Sequence, residues 1–370
     1  MDKKHIVIDK IMILTLTLLF FSFLPLFSLS FFDEGIDFKT LSFDEVNSMI
    51  KLGADVNEIT PSTTFTVLME AAYHTNDSRI IDLLIEHGAR VNDVTTDGCT
   101  ALMWSSYVNE NEYVSYALLK AGSNVNARTK YGTTPLMLAS YYNTNVEVIK
   151  LLIQYGADIS LTDNYYERNA LFWAAFNNEN YNVLQILINN GANVNNIDRF
   201  FTTPLLRAAR RNKNLEVIST LINNGADINY TIPICKYSYF DVSLDTIFPQ
   251  WIKNIVKDDS HLEKYSVSGM NALMFAACEN ENSDVIKLLI EKGSRIDQAD
   301  SMGTTALMFA AWNNNPDVLT TILGKGSNPN LLNKLGMTAL DFVEYDNNVK
   351  IRSSDAYFKL KQVTAKDKKH

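Results

Sequence analysis

The feature of this sequence that most constrains its fold is internal repetition with a period of 33 to 35 residues. Leucines in equivalent contexts mark the period: Leu68, Leu102, Leu136, Leu171, Leu205, Leu273, Leu307 and Leu340. Glycines run in phase with them: Gly53, Gly88, Gly122, Gly156, Gly191, Gly225, Gly293 and Gly326. A unit of this size cannot bury its apolar face alone, so successive units must stack on one another.

Each unit contains the signals of two helices. The text around the first seven of these leucines reads TVLMEAA, TALMWSS, TPLMLAS, NALFWAA, TPLLRAA, NALMFAA and TALMFAA. Thr or Asn before such a stretch caps a helix start, and Pro135 and Pro204 suit the first helical position. An Asn-rich linker follows, then an apolar stripe with the spacing of an amphipathic helix, and finally a glycine that suits a helix end. We therefore predict a short inner helix, an outer helix and a projecting tip per unit.

These residues resemble the ankyrin repeat, a unit of about 33 residues with a β-turn, two helices and a TPLHxA signature. The resemblance covers roughly residues 36–350 and implies an all-α repeat solenoid of stacked ankyrin repeats with β-hairpin-like tips. Most units are one residue longer than the family norm, with the extra residue in the Asn-rich loop. The family's histidine is replaced by Met69, Met103, Met137, Phe172, Leu206, Met274 and Met308. We expect apolar packing in place of the inter-repeat hydrogen bonds of that histidine.

One interval breaks the regular spacing. The step from Gly225 to Gly293 is 68 residues, twice the usual length, and residues 230–265 lack every motif. Moving the preceding outer-helix stripe forward by one period places it on Trp251, Ile252, Ile255 and Val256. This coincidence favours a degenerate repeat at about 230–265 over the alternative of a separate inserted domain.

The two ends of the repeat region carry incomplete units, which we predict to be caps over the exposed core. Residues 43–53 supply only an outer-helix stripe, and the unit that starts around Leu340 is unfinished. Seven clear repeats lie between them. The Lys-rich residues 351–370 are predicted to form a flexible basic tail.

The N-terminus has the pattern of an export signal. Three lysines within the first ten residues precede an uncharged run over 11–32, with Ser28 and Ser30 as small residues before a possible cleavage site. The run is 22 residues long, enough to span a bilayer, so a retained signal anchor stays an alternative to a cleaved peptide. Residues 1–32 thus predict an exported protein of bacterial type, periplasmic, secreted or anchored with its repeats outside the cytoplasm.

Composition and motifs argue against several functions. With 33 basic and 42 acidic residues the net charge is -9, which is atypical of a nucleic-acid binder. Phosphate-binding loops, nucleophile elbows and zinc-binding Cys or His spacings are not found. We therefore predict no cofactor, no metal and no catalysis. A thiol-dependent enzyme using Cys99 or Cys278 remains a remote alternative.

The resemblance implies binding through inner-helix positions after the paired small residues, and through the tips. The corresponding inner-helix residues are Tyr73, Tyr107, Tyr141, Tyr142, Phe176, Arg210, Arg211 and Trp312. The corresponding tip residues are Lys130, Tyr131, Tyr165, Tyr166, Phe200 and Met302. Stacked one unit apart, the inner positions would form an aromatic ladder of residue types common in interface hot spots. Arg199, Arg207, Arg210 and Arg211 would form a basic cluster able to bind an acidic segment.

The leading hypothesis is a monomeric scaffold or adaptor that binds a protein partner of unknown identity on its concave face and tips. It predicts no nucleic-acid partner. Contact with a membrane is expected only through residues 1–32, if this segment is not cleaved. The alternative is an architectural spacer or assembly protein of the cell envelope without a defined epitope.

Overall fold

The computed structural model describes residues 30–33, 36–60, 64–233, 268–313, 315–345 and 349–366. Over these residues the chain is all-α, built from paired helices, and the described part contains only two isolated β-bridges and no sheet. The predicted fold class is therefore confirmed. The chain divides into two compact units, Met1–Asn164 and Tyr165–His370.

The first unit consists of one single helix followed by three helix pairs within its described residues. The helices are α1 (Phe43–Lys51), α2 (Val67–His74), α3 (Ser78–Glu86), α4 (Ala101–Val108), α5 (Glu112–Lys120), α6 (Pro135–Tyr142) and α7 (Val146–Gln154). The inner helices α2, α4 and α6 pack in chain order, and the outer helices α1, α3, α5 and α7 do the same.

The second unit continues the same pattern. Its helices are α8 (Ala170–Asn177), α9 (Tyr181–Asn189), α10 (Pro204–Arg211), α11 (Leu215–Asn223), α12 (Ala272–Glu279), α13 (Ser283–Glu291), α14 (Ala306–Trp312), α15 (Pro316–Gly324), α16 (Ala339–Tyr345), α17 (Val349–Arg352) and α18 (Asp355–Lys366). The inner helices α8, α10, α12, α14 and α16 are successive neighbours, and so are the outer helices α9, α11, α13, α15 and α18.

The inner helices begin where the sequence signals predict. The side chain of each preceding Thr or Asn accepts a hydrogen bond from the backbone N–H three residues later, as Thr100 does from Met103 at 3.2 Å. The leucine of the motif and the residue at the family's histidine position are both buried, for example Leu102 and Met103. Capping and burial of one apolar face therefore define each inner helix.

Asparagine side chains form hydrogen bonds between repeats, in addition to the apolar packing expected at the family's histidine position, where Met69 and Met103 are buried. Buried Asn143 donates from Nδ2 to the carbonyls of Ser106 at 3.1 Å and Asn109 at 3.0 Å in the preceding repeat. Its Oδ1 accepts from the backbone N–H of Asn145 at 2.9 Å. Equivalent bonds are made by Asn109, Asn212 and Asn280. The asparagine side chains donate to carbonyls at the ends of α2, α4, α8 and α10, where buried carbonyls need donors.

The stack is continuous across the predicted degenerate repeat. Asn280, at the end of α12, donates to the carbonyls of Ala209 at 2.9 Å and Asn212 at 3.0 Å, at the end of α10. This is the bond pattern of consecutive repeats, so α10 and α12 are direct neighbours. Residues 234–267, on which most of the predicted repeat falls, lie outside the described residues. The expectation of a repeat between α10 and α12 in the stack is nevertheless wrong, because these helices leave it no position.

The chain leaves and rejoins the stack at a tip, the turn that connects successive helix pairs. In an ordinary tip the N–H of Thr129 donates to the carbonyl of Thr133 at 3.0 Å. In the same way, the N–H of Ile232 donates to the carbonyl of Met270 at 3.1 Å. The N–H of Gly269 donates to the carbonyl of Ile232 at 2.7 Å. Ile232 and Met270 therefore occupy ordinary tip positions, although a long segment separates them in sequence.

The next tip contact is also ordinary. The N–H of Ser301 donates to the carbonyl of Ser268 at 2.9 Å, as that of Asn164 does to the carbonyl of Tyr131 at 2.8 Å. A single residue separates the equivalent positions Thr129 and Tyr131, whereas 35 residues of sequence separate Ile232 from Ser268. The extra length equals one period, and this is why the spacing resembled a further repeat.

Removing residues 234–267, so that Pro233 precedes Ser268, is expected to leave the repeats folded. The shortened turn has the ordinary number of residues, with proline at a position that suits it. Because loop-closure entropy changes by only about 0.6 kcal/mol per doubling of length, a small stabilisation is expected. Circular dichroism and denaturant unfolding provide the measurement. A loss of several kcal/mol or of cooperative unfolding would show that the removed residues support the stack.

Described residues before α1 cover the N-terminal end of the first unit. The rings of Phe31 and Phe38 stack with centroids 5.9 Å apart, and both are buried. The carboxylate of Glu58 accepts from the backbone N–H of Phe31 at 2.9 Å. Residues 1–29, which contain most of the predicted signal or anchor, lie outside the described residues. In the part that is described, no helix has the length and hydropathy needed to cross a membrane.

The C-terminal segment differs from its prediction as a flexible tail. Residues 355–366 form α18, which packs against α15 and α16 as the outer helix of the last pair. Ala356, Leu360 and Thr364 are buried at a spacing of four, so they lie on one helix face. The Lys-rich remainder of the helix surface masked this stripe in the sequence.

Candidate functional site

A row of aromatic rings lies along the inner helices of the first unit. We call Phe65, Tyr73, Trp104, Tyr107 and Tyr142 the aromatic strip. Ring centroids lie 5.0 Å apart for Phe65 and Trp104, 5.6 Å for Tyr73 and Trp104, and 5.4 Å for Tyr107 and Tyr142. These distances are typical of paired aromatic side chains. Tyr142 is 55% exposed and the other four are half-buried, so the rings are both supported and accessible.

The repeat itself places these rings together. Tyr73 and Tyr107 hold the same position in α2 and α4, just after the paired small residues, so stacking brings them side by side. Trp104 lies three residues before Tyr107 and therefore on the same helix face. Trp104 is not among the residues that the sequence predicted for binding. Its spacing from Tyr107 was the signal that could have placed it in the strip.

The charge along the aromatic strip is negative. Helices α2, α4 and α6 contain no Lys or Arg, and their one carboxylate is Glu70. His74 lies 3.4 Å from Glu70, measured from Nε2 to Oε1. Burial raises the pKa of Glu70, His74 opposes this effect, and Asp37 adds to it. Burial, and then Tyr73 and Tyr142, raise the pKa of Tyr107, so its phenol stays neutral at physiological pH.

The other predicted binding residues of the first unit differ in accessibility. Tyr131 and Tyr141 are buried, and each is only 8% exposed. The expectation that these two rings are free for a partner is therefore wrong for this conformation. Lys130 is exposed at its tip, where it forms an ion pair with Asp97 and lies over the ring of Tyr131.

The predicted basic cluster of the second unit is not an open anion site. Arg210 is 1% exposed and donates from Nε to Glu279 Oε1 at 2.8 Å. Arg211 is also near this carboxylate, with 3.5 Å between Nη2 and Oε2. The prediction that Arg210 reaches a partner is wrong in this conformation. Arg210 occupies the position after the paired small residues and faces the next inner helix. Glu279 on that helix neutralises its charge.

Arg207 serves the fold through a buried ionic network. Asp198 lies 2.9 Å from Arg207 Nη2 and 3.1 Å from Arg168 Nε, and it accepts from the backbone N–H of Thr202 at 2.9 Å. Burial alone would raise the pKa of Asp198. The two arginines and Thr202 overcome that effect and hold the pKa below its usual value. The network fixes the tip that leads into α10.

The remaining predicted residues have mixed exposure. Tyr166 is buried, under the guanidinium of Arg168 at 4.1 Å from its ring centroid, so the expected exposure of this tip residue is wrong. Its neighbours Tyr165 and Phe200 are half-buried, with ring centroids 4.8 Å and 5.5 Å from that of Tyr166. Two predicted residues near inner-helix ends, Phe176 and Trp312, are also half-buried, and the tip residue Met302 is exposed.

The described cysteines lack the properties of catalytic thiols. Burial raises the pKa of Cys99 to about 11 and that of Cys278 to about 12. Because the thiolate is the reactive form, neither group is activated at neutral pH. Cys235 lies outside the described residues. Within the described ranges, no group of three or more His, Cys, Asp or Glu is arranged to hold a metal ion.

The native thiols of Cys99 and Cys278 are expected to react slowly with iodoacetamide. In a Cys235→Ser variant at pH 8, labelling should be far slower than in the same protein unfolded in urea, since burial disfavours the thiolate. Mass spectrometry of tryptic peptides gives the rate for each cysteine. Native labelling as fast as that of the unfolded chain would contradict the raised pKa values.

The chain matches a known family of repeat proteins. The family of ankyrin repeats, in arrays of three copies, matches residues 42–129, 68–163, 107–198, 136–232 and 246–341. No enzyme family was found. No curated protein sequence matched the chain.

A solved structure with a similar fold is the crystal structure of the human ASB11 ankyrin repeat domain. Its TM-score is 0.52 at 22% sequence identity, and the match covers 71% of this chain and 98% of that chain. This likeness concerns the fold alone. The family matches span more than half of the chain, and the helix pairs, caps and tips follow the same period. The chain therefore belongs to the ankyrin-repeat family.

Proposed function

We propose that this protein is a non-catalytic scaffold that binds a protein partner through the aromatic strip of its first unit. The observation that supports this most strongly is the strip itself, in which exposed Tyr142 continues a row of half-buried rings. Membership of the ankyrin-repeat family agrees with a protein-binding role. The raised thiol pKa values of Cys99 and Cys278 argue against the thiol-dependent alternative.

Partial burial makes the strip suitable for binding. Tyr and Trp contribute large contact areas with few rotatable bonds, and they dominate interface hot spots. Rings already held by their neighbours lose little conformational entropy when a partner covers them. The outer helices also expose tyrosines, but Tyr113 there is 61% exposed and Tyr116 meets Tyr155 only at 6.4 Å. The ring pairs of the strip are therefore closer than the pair of Tyr116 and Tyr155.

The test compares two triple variants of the full chain. The strip variant carries Tyr73→Ala, Tyr107→Ala and Tyr142→Ala, and the matched control carries Tyr113→Ala, Tyr116→Ala and Tyr155→Ala on the outer helices. Affinity capture with mass spectrometry should recover the same partner with the wild type and the control, and lose it with the strip variant. Circular dichroism verifies that both variants stay helical. An unchanged captured set with the strip variant would contradict the proposal and favour an architectural spacer.

We also propose that the protein acts outside the cytoplasm. The support is the sequence of residues 1–32, with its basic start and uncharged run. Cell fractionation of the full chain and of a chain without residues 1–29 tests this directly. The full chain should leave the cytoplasm and the shortened chain should remain there, and equal distribution of the two would contradict export.

A further inference from the structure

We infer that the partner segment bound by the aromatic strip is cationic, an extended protein segment rich in arginine or lysine. The inference rests on the proposed function and adds the chemistry of the partner. It is supported by the distribution of charge, by the side chains along the strip and by the chemistry of aromatic faces.

Charge is distributed very unevenly along the chain. Residues 30–164 contain 18 Asp or Glu and 8 Lys or Arg, whereas residues 165–370 contain 22 of each kind. The negative charge of the protein therefore resides in the unit that carries the aromatic strip. A surface with one sign of charge raises the local concentration of oppositely charged segments and speeds their association.

None of the eight Lys and Arg of residues 30–164 lies on an inner helix, and four of them form ion pairs. Arg79, at the start of α3, pairs with Asp77 at 2.6 Å, and Lys150, on α7, pairs with Glu147 at 2.7 Å. Lys130 is at a tip and pairs with Asp97. The inner helices provide no Lys or Arg that could repel a cationic segment or attract an acidic one.

The aromatic strip offers two complementary features to a cation. The faces of Tyr and Trp rings attract guanidinium and ammonium groups through their quadrupole. Glu70 adds a partly exposed carboxylate three residues before Tyr73 on α2. The protein already uses such contacts internally, since the Arg79 guanidinium lies 5.2 Å from the ring centroid of Phe43. An acidic or phosphorylated segment would instead be repelled by the carboxylates of this unit.

Peptide binding to the full chain tests the inference. The probe is a fluorescent peptide of repeating Gly-Arg-Ser, compared with peptides in which citrulline or glutamate replaces every arginine. The arginine peptide should bind, the citrulline peptide more weakly, and the glutamate peptide not measurably. Raising the salt concentration from about 50 to about 300 mM should weaken binding, because screening increases with ionic strength.

Variants assign the binding to the aromatic strip. The strip variant should lower the affinity for the arginine peptide by roughly tenfold, since each ring–cation contact contributes about two- to fivefold. Glu70→Gln should lower it by about threefold through loss of one nearby charge. The outer-helix control variant should bind as the wild type does.

Equal binding of the arginine and citrulline peptides, no binding of either, or equal losses in the strip and control variants would overturn the inference. These failures are distinct from failure of the proposed function. If the strip variant loses its captured partner but the arginine peptide does not compete for that partner, only the inference about charge is wrong. If the captured partner is retained by the strip variant, the proposed function itself is wrong.

Discussion

Asp198→Asn is expected to lower the free energy of unfolding of the second unit by about 3 to 5 kcal/mol, the usual cost of removing one partner from a buried ionic network. The substitution keeps the size of the side chain and an oxygen that can accept from the Thr202 N–H. It removes the charge that lies 2.9 Å from Arg207 and 3.1 Å from Arg168. Arg207 and Arg168 would then lose the negative charge of Asp198, and denaturant unfolding should report the loss.

Asp300→Asn is the matched control for this prediction. Asp300 holds the equivalent tip position and accepts from the N–H groups of Met302 at 2.8 Å and Thr304 at 2.7 Å, but no arginine ion pair is found for it among the described residues. An asparagine oxygen can keep these bonds, so a loss below about 1 kcal/mol is expected. Equal losses for the two variants would contradict a specific ionic role for Asp198.

The pH dependence of stability should separate the same two residues. The folded pKa of Asp198 is below its unfolded value, so its stabilisation is present above the ordinary aspartate pKa of 3.8 and is lost as the pH falls from there. The pKa of Asp300 is raised, mainly by burial, so its contribution is most favourable at low pH and declines as the pH rises through 3.8. Asp198→Asn should therefore flatten the acid side of the stability curve, and Asp300→Asn should not.

Asn143→Ala is expected to lower the free energy of unfolding of the first unit by about 3 kcal/mol, because each buried group left without a partner costs about 1 to 3 kcal/mol. The substitution leaves the carbonyls of Ser106 and Asn109 without the Asn143 donor, and it leaves the N–H of Asn145 without an acceptor. Thermal and denaturant unfolding measure the change.

The control for Asn143 is Asn76→Ala, a substitution of an exposed asparagine in the corresponding loop of an earlier repeat. A change within about 0.5 kcal/mol is expected there, as for most surface positions. Asn280→Ala should resemble Asn143→Ala, since Asn280 makes the same bonds across the boundary from α12 to α10. A small loss for Asn280 alone would contradict direct contact between those two repeats.

Local signals in the sequence predicted the repeating part of the fold well. A capping Thr or Asn before the apolar stretch and a glycine after each outer stripe mark the helices that the structure contains, for example Thr100 before α4 and Gly122 after α5. These features depend on neighbouring residues in the chain, so a single repeat is enough to reveal them. Because the units repeat, the apolar face of each unit is expected to pack against the neighbouring unit.

Features that depend on contacts between distant residues were predicted less well. The insertion after Ile232 has the net length of one repeat, so spacing alone could not distinguish it from a repeat. The helix α18 was missed because the buried face of Ala356, Leu360 and Thr364 is narrow and lies among lysines. Both errors were resolved by hydrogen bonds or packing between residues far apart in sequence.

Exposure at the candidate site could be predicted only in part. Equivalent positions in successive repeats place Tyr107 in the aromatic strip but bury Arg210 against Glu279, because the adjacent side chains differ. Similarly, neighbouring tyrosines differ in exposure, with Tyr141 buried and Tyr142 exposed. The period fixes which backbone positions face the next repeat, while the side chains of that repeat decide which ones remain accessible.

The claim that the aromatic strip is the partner-binding surface is tested most directly by photo-crosslinking. The photoreactive residue p-benzoylphenylalanine replaces Tyr142 in one full-length chain and the more exposed Tyr113 in another, and both are irradiated in cells that produce the protein. A crosslinked partner is expected at position 142 and none at position 113. Crosslinking at position 113 with none at position 142 would contradict it.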